Sequence, residues 1–319
     1  MFRILHDTKY DFIRWWRTAA GLTIAFIVIG LGTYFVRGGF VYSVDFTGGT
    51  VVQLKFTQAP DVAQLRSAIE RGGAIEPVVQ QFGSPTDYVV RVKGDTAAAG
   101  TDVARAQVRA AVESVVGAGN FTIERSEAVG ARVGAELRRG AIIAILFSFG
   151  ITLIYLAWRF EWRFGLAAVC ATAHDIMATV AFVAMLRLEV SLTVIAALLT
   201  VIGYSLNDTI IIFDRVRENL RRNRKESLYD TLNRSVNETL PRSVLTHATT
   251  LVATLALLFF AGEVIRPFAW VMAFGIFTGT FSSIYVASPI LMYVEQRFPR
   301  DPEAKGARAG AAGTAAATR

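Results

Sequence analysis

The chain has 319 residues, 53% of them hydrophobic and only 18% charged, and 33 Lys and Arg against 26 Asp and Glu give it a formal net charge of +7. Soluble domains carry roughly a quarter charged residues, so this composition argues against an ordinary soluble enzyme. The lone cysteine, Cys170, excludes a disulfide scaffold, and His6, His174 and His247 lie too far apart in sequence to suggest a zinc site, so neither a metal nor a cofactor is expected.

The apolar residues gather into runs. A hydrocarbon core of about 30 Å needs roughly 20 of them in a helix. After a charged N-terminus over 1–17, the uncharged run 18–36 is long enough to cross. It exceeds the roughly 7 to 15 apolar residues of a secretory signal, and Arg37-Gly38-Gly39-Phe40 follows it. It therefore reads as a retained anchor and first transmembrane helix.

Residues 37–139 form one separate domain with mixed patterning. Val51 to Phe56 reads as a strand. Asp61 then opens a helix with Val62, Leu65, Ala68 and Ile69 on one face. Strand-like runs follow at 75–82 and 88–92, then a helix over 101–116 with Val103, Val108, Ala111, Val112 and Val115 as its apolar residues. A last alternating strand covers 120–127. Strand, helix, strand, strand, helix, strand is the order of a ferredoxin-like sandwich. The domain offers no nucleophile and base pair, and Thr47-Gly48-Gly49 reads as a tight turn needing positive φ.

Five further spans follow at 140–158, 164–186, 190–213, 243–261 and 267–294. A basic loop fills 214–242, and the tail over 295–319, rich in Ala, Gly and Arg, reads as disordered. The expected fold class is thus an α-helical polytopic membrane protein with six transmembrane helices and an α+β ferredoxin-like domain between helices 1 and 2. Lys and Arg are retained on the cytoplasmic side. Placing the N-terminus inside puts Arg3, Lys9, Arg14, Arg17, Arg159, Arg163 and the run from Arg215 to Arg234 there, and leaves only Arg187 and Arg266 in the short outer loops. Both termini are expected in the cytoplasm and the domain outside.

An ionisable residue at the centre of a span costs about 2.5–3.5 kcal/mol on insertion scales and so marks a pathway or a paired site. Asp175, beside His174, falls near the middle of the third span, and Asp208 lies in the fourth toward its cytoplasmic end. Arg242, after Pro241, opens the fifth and can point back toward the depth of Asp208, with His247 slightly deeper. Such a carboxylate can load and release protons; a structural ion pair between helices is the competing reading. Asp214 and Arg215 read as interfacial anchors, and Cys170 as a packing residue. Gly203, Ser205 and the pair Gly275 and Gly279 read as sites of close helix approach.

Four motifs carry a resemblance: Val44-Asp45-Phe46-Thr47-Gly48-Gly49-Thr50, Val129-Gly130 through Gly134-Ala135-Glu136-Leu137, Ala173-His174-Asp175, and Ile202 to Thr209 continuing through Phe213 to Asn219. From about residue 5 to 298 the chain resembles the SecF side of the SecD/SecF family, bacterial protein-export (Sec) membrane subunits of the RND superfamily. The resemblance implies a six-helix half bundle in the bacterial cytoplasmic (inner) membrane, completed by SecD as an obligatory partner. It implies use of the proton motive force to assist late steps of export, with Asp208 as the proton-path carboxylate, Arg242 as its partner and Asp175 at a charged position of less defined role. Implied neighbours are the SecYEG channel, YajC, the bilayer and an unfolded preprotein on the periplasmic side, with no nucleic acid and no catalytic residue. An RND-type small-molecule exporter half and a non-conducting scaffold of the translocon stay open as alternatives.

Overall fold

A computed structural model describes residues 8–298 apart from 82, 94–100, 224–225 and 263. Arg3, His6, Phe82, Arg224, Lys225 and the tail from 299 onward, which the sequence reading used, lie outside the described residues.

A 3-10 turn at Ile13–Trp15 leads into α1 (Trp16–Val36), and the short α2 (Val44–Thr47) precedes β1 (Gly49–Phe56). Then come α3 (Val62–Arg71), β2 (Ile75–Gln81), β3 (Asp87–Lys93), α4 (Thr101–Val116) and β4 (Phe121–Val129). Sheet order is β2-β3-β1-β4, every pairing antiparallel. That is the ferredoxin-like arrangement the element order implied. Asp61 caps α3 by accepting from the backbone N–H groups of Ala63 and Gln64. One sheet face, with Val52, Leu54, Phe56, Val90 and Val92, packs on Leu65 and Ile69 of α3 and Val108, Ala111 and Val112 of α4. Val103 instead faces solvent, and Ala104 occupies the buried position, because a 3.6-residue period from Val108 falls on 104 rather than 103.

The chain returns through α5 (Ala131–Arg159), followed by α6 (Trp162–Leu186), α7 (Leu192–Arg222) and α8 (Leu228–Phe260). The last apolar helix is α9 (Arg266–Ser282), a π turn (Ser283–Ala287) and α10 (Ser288–Arg297). Six helices, counting α9 through α10 as one, are long and apolar enough to cross a membrane. Among the described residues the expected basic loop is mostly helical. The α7 helix continues to Arg222, and α8 starts at Leu228 and runs through Pro241. Side-chain bonds hold this extension together: Asn219 Nδ2 donates to Ser235 Oγ (3.0 Å) and to Glu238 (2.7 Å), and Arg215 pairs with Glu238 at 2.6 Å. Asp214 pairs with Arg159 of α5 at 2.7 Å, so Asp214 and Arg215, read from the sequence as interfacial anchors, also tie α7 to its neighbouring helices.

The sheet domain is joined to the bundle by more than its two connections. Gly48 and Gly49 take φ of 70° and 123°, which turns α2 into β1. A Cβ on Gly134 of α5 would sit 2.9 Å from the Gly48 nitrogen, so the two glycine motifs are halves of one contact. The α6–α7 connection bridges Val190 to Tyr42, with Ser43 N donating to Val190 O (2.9 Å) and Val190 N to Val41 O (2.7 Å). Above it, Arg91 of β3 forms an ion pair with Glu189. Burial pushes the Glu189 carboxyl above the usual range, against the pull of the Arg91 guanidinium.

Candidate functional site: a buried carboxylate seam

A polar seam runs through the middle of the bundle. Gly275 and Gly279 bring α9 against α7: a Cβ on Gly275 would lie 2.2 Å from Val201, and one on Gly279 3.0 Å from Ser205. Close helix contact through small residues is how membrane helices pack. Gly203, expected to serve the same end, has open space around it and is exposed, whereas Ser205 and Leu206 just beyond it are buried.

Asp175 lies where α6, α7 and α9 meet and is 1% exposed. Its Oδ2 accepts from Ser282 Oγ at 2.7 Å and from Ser205 Oγ, while Oδ1 lies 2.9 Å from His174 Nδ1. His174 Nε2 is in turn 2.6 Å from Thr23 Oγ1 on α1. Both carboxylate oxygens are therefore engaged, and the string ties together four of the six spans. Next to it, Ser282 and Ser283 donate to the Gly279 carbonyl (3.1 and 3.0 Å), and Ser283 Oγ lies 2.8 Å from Thr209 Oγ1. The π turn starts at Ser283, and such turns inside helices gather at functional positions.

Asp208, one turn along α7 from Ser205, is 3% exposed and more sparsely held. Its Oδ1 accepts from Ser243 Oγ at 2.5 Å, and its Oδ2 is buried with no hydrogen-bond partner. A buried carboxylate oxygen without a donor is costly in an ionised group and marks a place where a proton can reside. The basic side chains that neighbour Asp208 are those of His247 and Arg242, both on α8. His247 packs edge-on against Tyr204 with ring centroids 5.3 Å apart, and Tyr204 is held by its hydroxyl to Thr246 O and Thr250 Oγ1.

Arg242 differs from the sequence expectation. Among the described residues no ion pair joins it to Asp208, and its side chain is exposed. Ser243, the next residue on α8, is the one turned inward. A helix advances about 100° per residue, so the two cannot both face α7. The sequence reading singled out Asp175, Asp208 and Arg242 but missed the hydroxyl groups of Thr23, Ser205, Ser243 and Ser282, of which Ser205 and Ser282 bond Asp175, Ser243 bonds Asp208 and Thr23 meets His174. The available signal was that serines recur within apolar runs opposite the acidic ones.

Two family models match. One, described as protein export membrane protein SecD/SecF, C-terminal, covers residues 107–297, and the SecD/SecF GG motif covers 35–60. A protein translocase subunit SecF from Gemmatimonas aurantiaca is 57% identical over 323 residues, covering 100% of this chain and 97% of that protein. The SecF of Escherichia coli O157:H7 is 37% identical over 288 residues, covering 90% and 88%. The crystal structure of SecDF from Thermus thermophilus, described as a translocon-associated membrane protein, matches with a TM-score of 0.80 at 37% identity. It is matched over 93% of this chain, which spans only 40% of that longer chain. A SecDF structure in a super-membrane-facing form matches at 0.68, again with 37% identity.

Proposed function

The chain belongs to the SecD/SecF family of protein export membrane proteins, and from its buried carboxylate seam we propose that it is a proton-coupled half of an export-assisting machine. It is an accessory subunit for protein export, a multi-pass membrane translocase subunit. In our reading it lies in the bacterial inner membrane with both termini cytoplasmic and the sheet domain outside. Asp208 takes up and releases the proton, His247 and Arg242 set the field around it, and Asp175 with its serines forms a second polar station.

The observation that carries this reading is the combination at Asp208: a carboxylate in a transmembrane helix, 3% exposed, with one oxygen bonded and the other without a donor. A purely structural ion pair would have both oxygens and the guanidinium engaged. The need for a partner bundle is supported by polar groups that this half leaves uncovered at membrane depth. Asn207, the residue before Asp208, is exposed, and so is Arg242. Neither is comfortable in hydrocarbon. SecD is the partner we assign to that face, with the SecYEG channel, YajC and an unfolded preprotein as further neighbours.

The test replaces the chromosomal copy with Asp208→Asn and follows two phenotypes. Slowed secretion with unaltered sensitivity to toxic small molecules supports the export reading. Normal secretion with the protein present at wild-type level returns the chain to a scaffold. Drug hypersensitivity with normal secretion returns it to a small-molecule exporter.

A further inference from the structure

A cavity separate from the seam lies where α5 passes the ends of α6 and α7 nearest the sheet domain. Its volume is about 300 Å³, and Phe46, Ile142, Ile145, Val183 and Val194 are among its apolar walls. Its one charged lining residue is Arg138, whose guanidinium lies over the Tyr42 ring at 5.9 Å. Arg138 is exposed and, among the described residues, has no carboxylate partner. From Arg138 to Ile145 the helix climbs about 10 Å, so the cation stands at the boundary of the apolar layer and the cavity extends inward from it.

We propose that this groove holds one acyl chain of an anionic phospholipid, from the leaflet on the sheet-domain side, with its phosphate on Arg138. Size selects the occupant. A transmembrane helix is about 10–12 Å across with its side chains, far more than a 300 Å³ recess admits, whereas a single hydrocarbon chain is thin and flexible. Charge selects the headgroup, because an arginine with no carboxylate partner at the membrane boundary favours a phosphate whose charge no headgroup cation cancels. The site also matters for the fold. Only Gly130 separates the end of β4 from the start of α5, whose middle has a largely uncovered face, with Ile142, Leu146 and Phe147 exposed. A chain wedged between α5 and α7 would therefore set how α5, and through β4 the whole sheet domain, stands against the bundle.

The test uses the full chain purified in neutral detergent and titrated with phosphatidylglycerol or phosphatidylcholine of equal chain length, with bound lipids counted by native mass spectrometry. One phosphatidylglycerol is expected to bind roughly tenfold tighter than phosphatidylcholine, the scale of one charge-assisted contact. Arg138→Gln should abolish that preference, and Ile145→Trp, which fills the groove, should remove the tight site for both lipids. Leu146→Trp, one residue on and facing outward, should change neither. Should Ile145→Trp fail to fold, Ile195→Trp fills the same groove from α7. Equal affinity for the two lipids, a preference that survives Arg138→Gln, or a site that disappears when the partner subunit is copurified would each overturn the proposal.

Discussion

Ser243 is the direct partner of Asp208, the residue on which the proposed mechanism turns. Its hydroxyl is the only hydrogen-bond donor to Asp208 among the described residues. Removing it leaves a buried carboxylate unsatisfied, a cost of about 1–3 kcal/mol and more when the group is charged. Ser243→Ala is therefore expected to cut gradient-dependent export several-fold, while Ser243→Thr, which keeps the hydroxyl, restores most of it. Measured in membrane vesicles, a wild-type rate for Ser243→Ala would remove the serine from the mechanism. No forked bond joins Arg242 to Asp208 among the described residues, so if Arg242 serves the proposed mechanism through its charge, Arg242→Lys should retain more export than Arg242→Gln. Equal loss in both variants would mean that the guanidinium shape matters, through a contact that this half does not make by itself.

Among the elements, α1 comes close against α6 at Gly30. A Cβ there would lie 2.5 Å from Ala181 Cβ and 2.9 Å from its Cα, so even Gly30→Ala forces α1 and α6 apart. Overpacking of this kind costs about 1–3 kcal/mol. Gly30→Ala should lower the thermal unfolding temperature in detergent, and adding Ala181→Gly should recover part of the loss. Independent, additive effects of the two changes would show that the helices do not meet there. Gly275 and Gly279 were legible in the sequence because small residues four apart announce a packing face. Gly30 was not, because α1 is apolar all round and has no polar side to set its rotational phase. The same limit explains Arg242 and Ser243: depth in the membrane can be counted along the chain, but which of two neighbours turns inward depends on where α8 lies. The ferredoxin-like order was readable because alternating and 3.6-residue patterns separate cleanly in a domain with one wet face. The α7 and α8 extensions were hidden because polar helices held by Asn219, Arg215 and Glu238 have the composition of a loop.

At the scale of the molecule, the sheet domain rests on the bundle through the Gly48, Gly49 and Gly134 contact and the Val190 bridge, and Glu189 is buried against Arg91 beside them. Burial holds the Glu189 carboxyl above its ordinary value of 4.5. An acid raised in this way contributes to docking while it is protonated, and that contribution is lost as pH rises through the raised value. Docking should therefore loosen from about pH 4.5 upward and become independent of pH in Glu189→Gln. Spin labels on Lys55→Cys and Phe260→Cys, in a Cys170→Ala background, would report the spread of distances. A spread that ignores pH, or changes equally in Glu189→Gln, would contradict this. With about 2.3 kcal/mol available per elementary charge per 100 mV, the transit of a single proton is of the right size to bias so modestly anchored a contact.

The central claim, that Asp208 couples the proton gradient to export, is tested most directly in inner-membrane vesicles carrying this chain and its partner. Translocation of a secretory precursor is followed after the ATP-driven steps have begun, with the gradient intact or collapsed by an uncoupler. Wild-type vesicles should slow when the gradient is lost. Asp208→Asn vesicles should run at that slow rate under both conditions. Asp208→Asn vesicles that still respond to the gradient as wild type does would contradict the account.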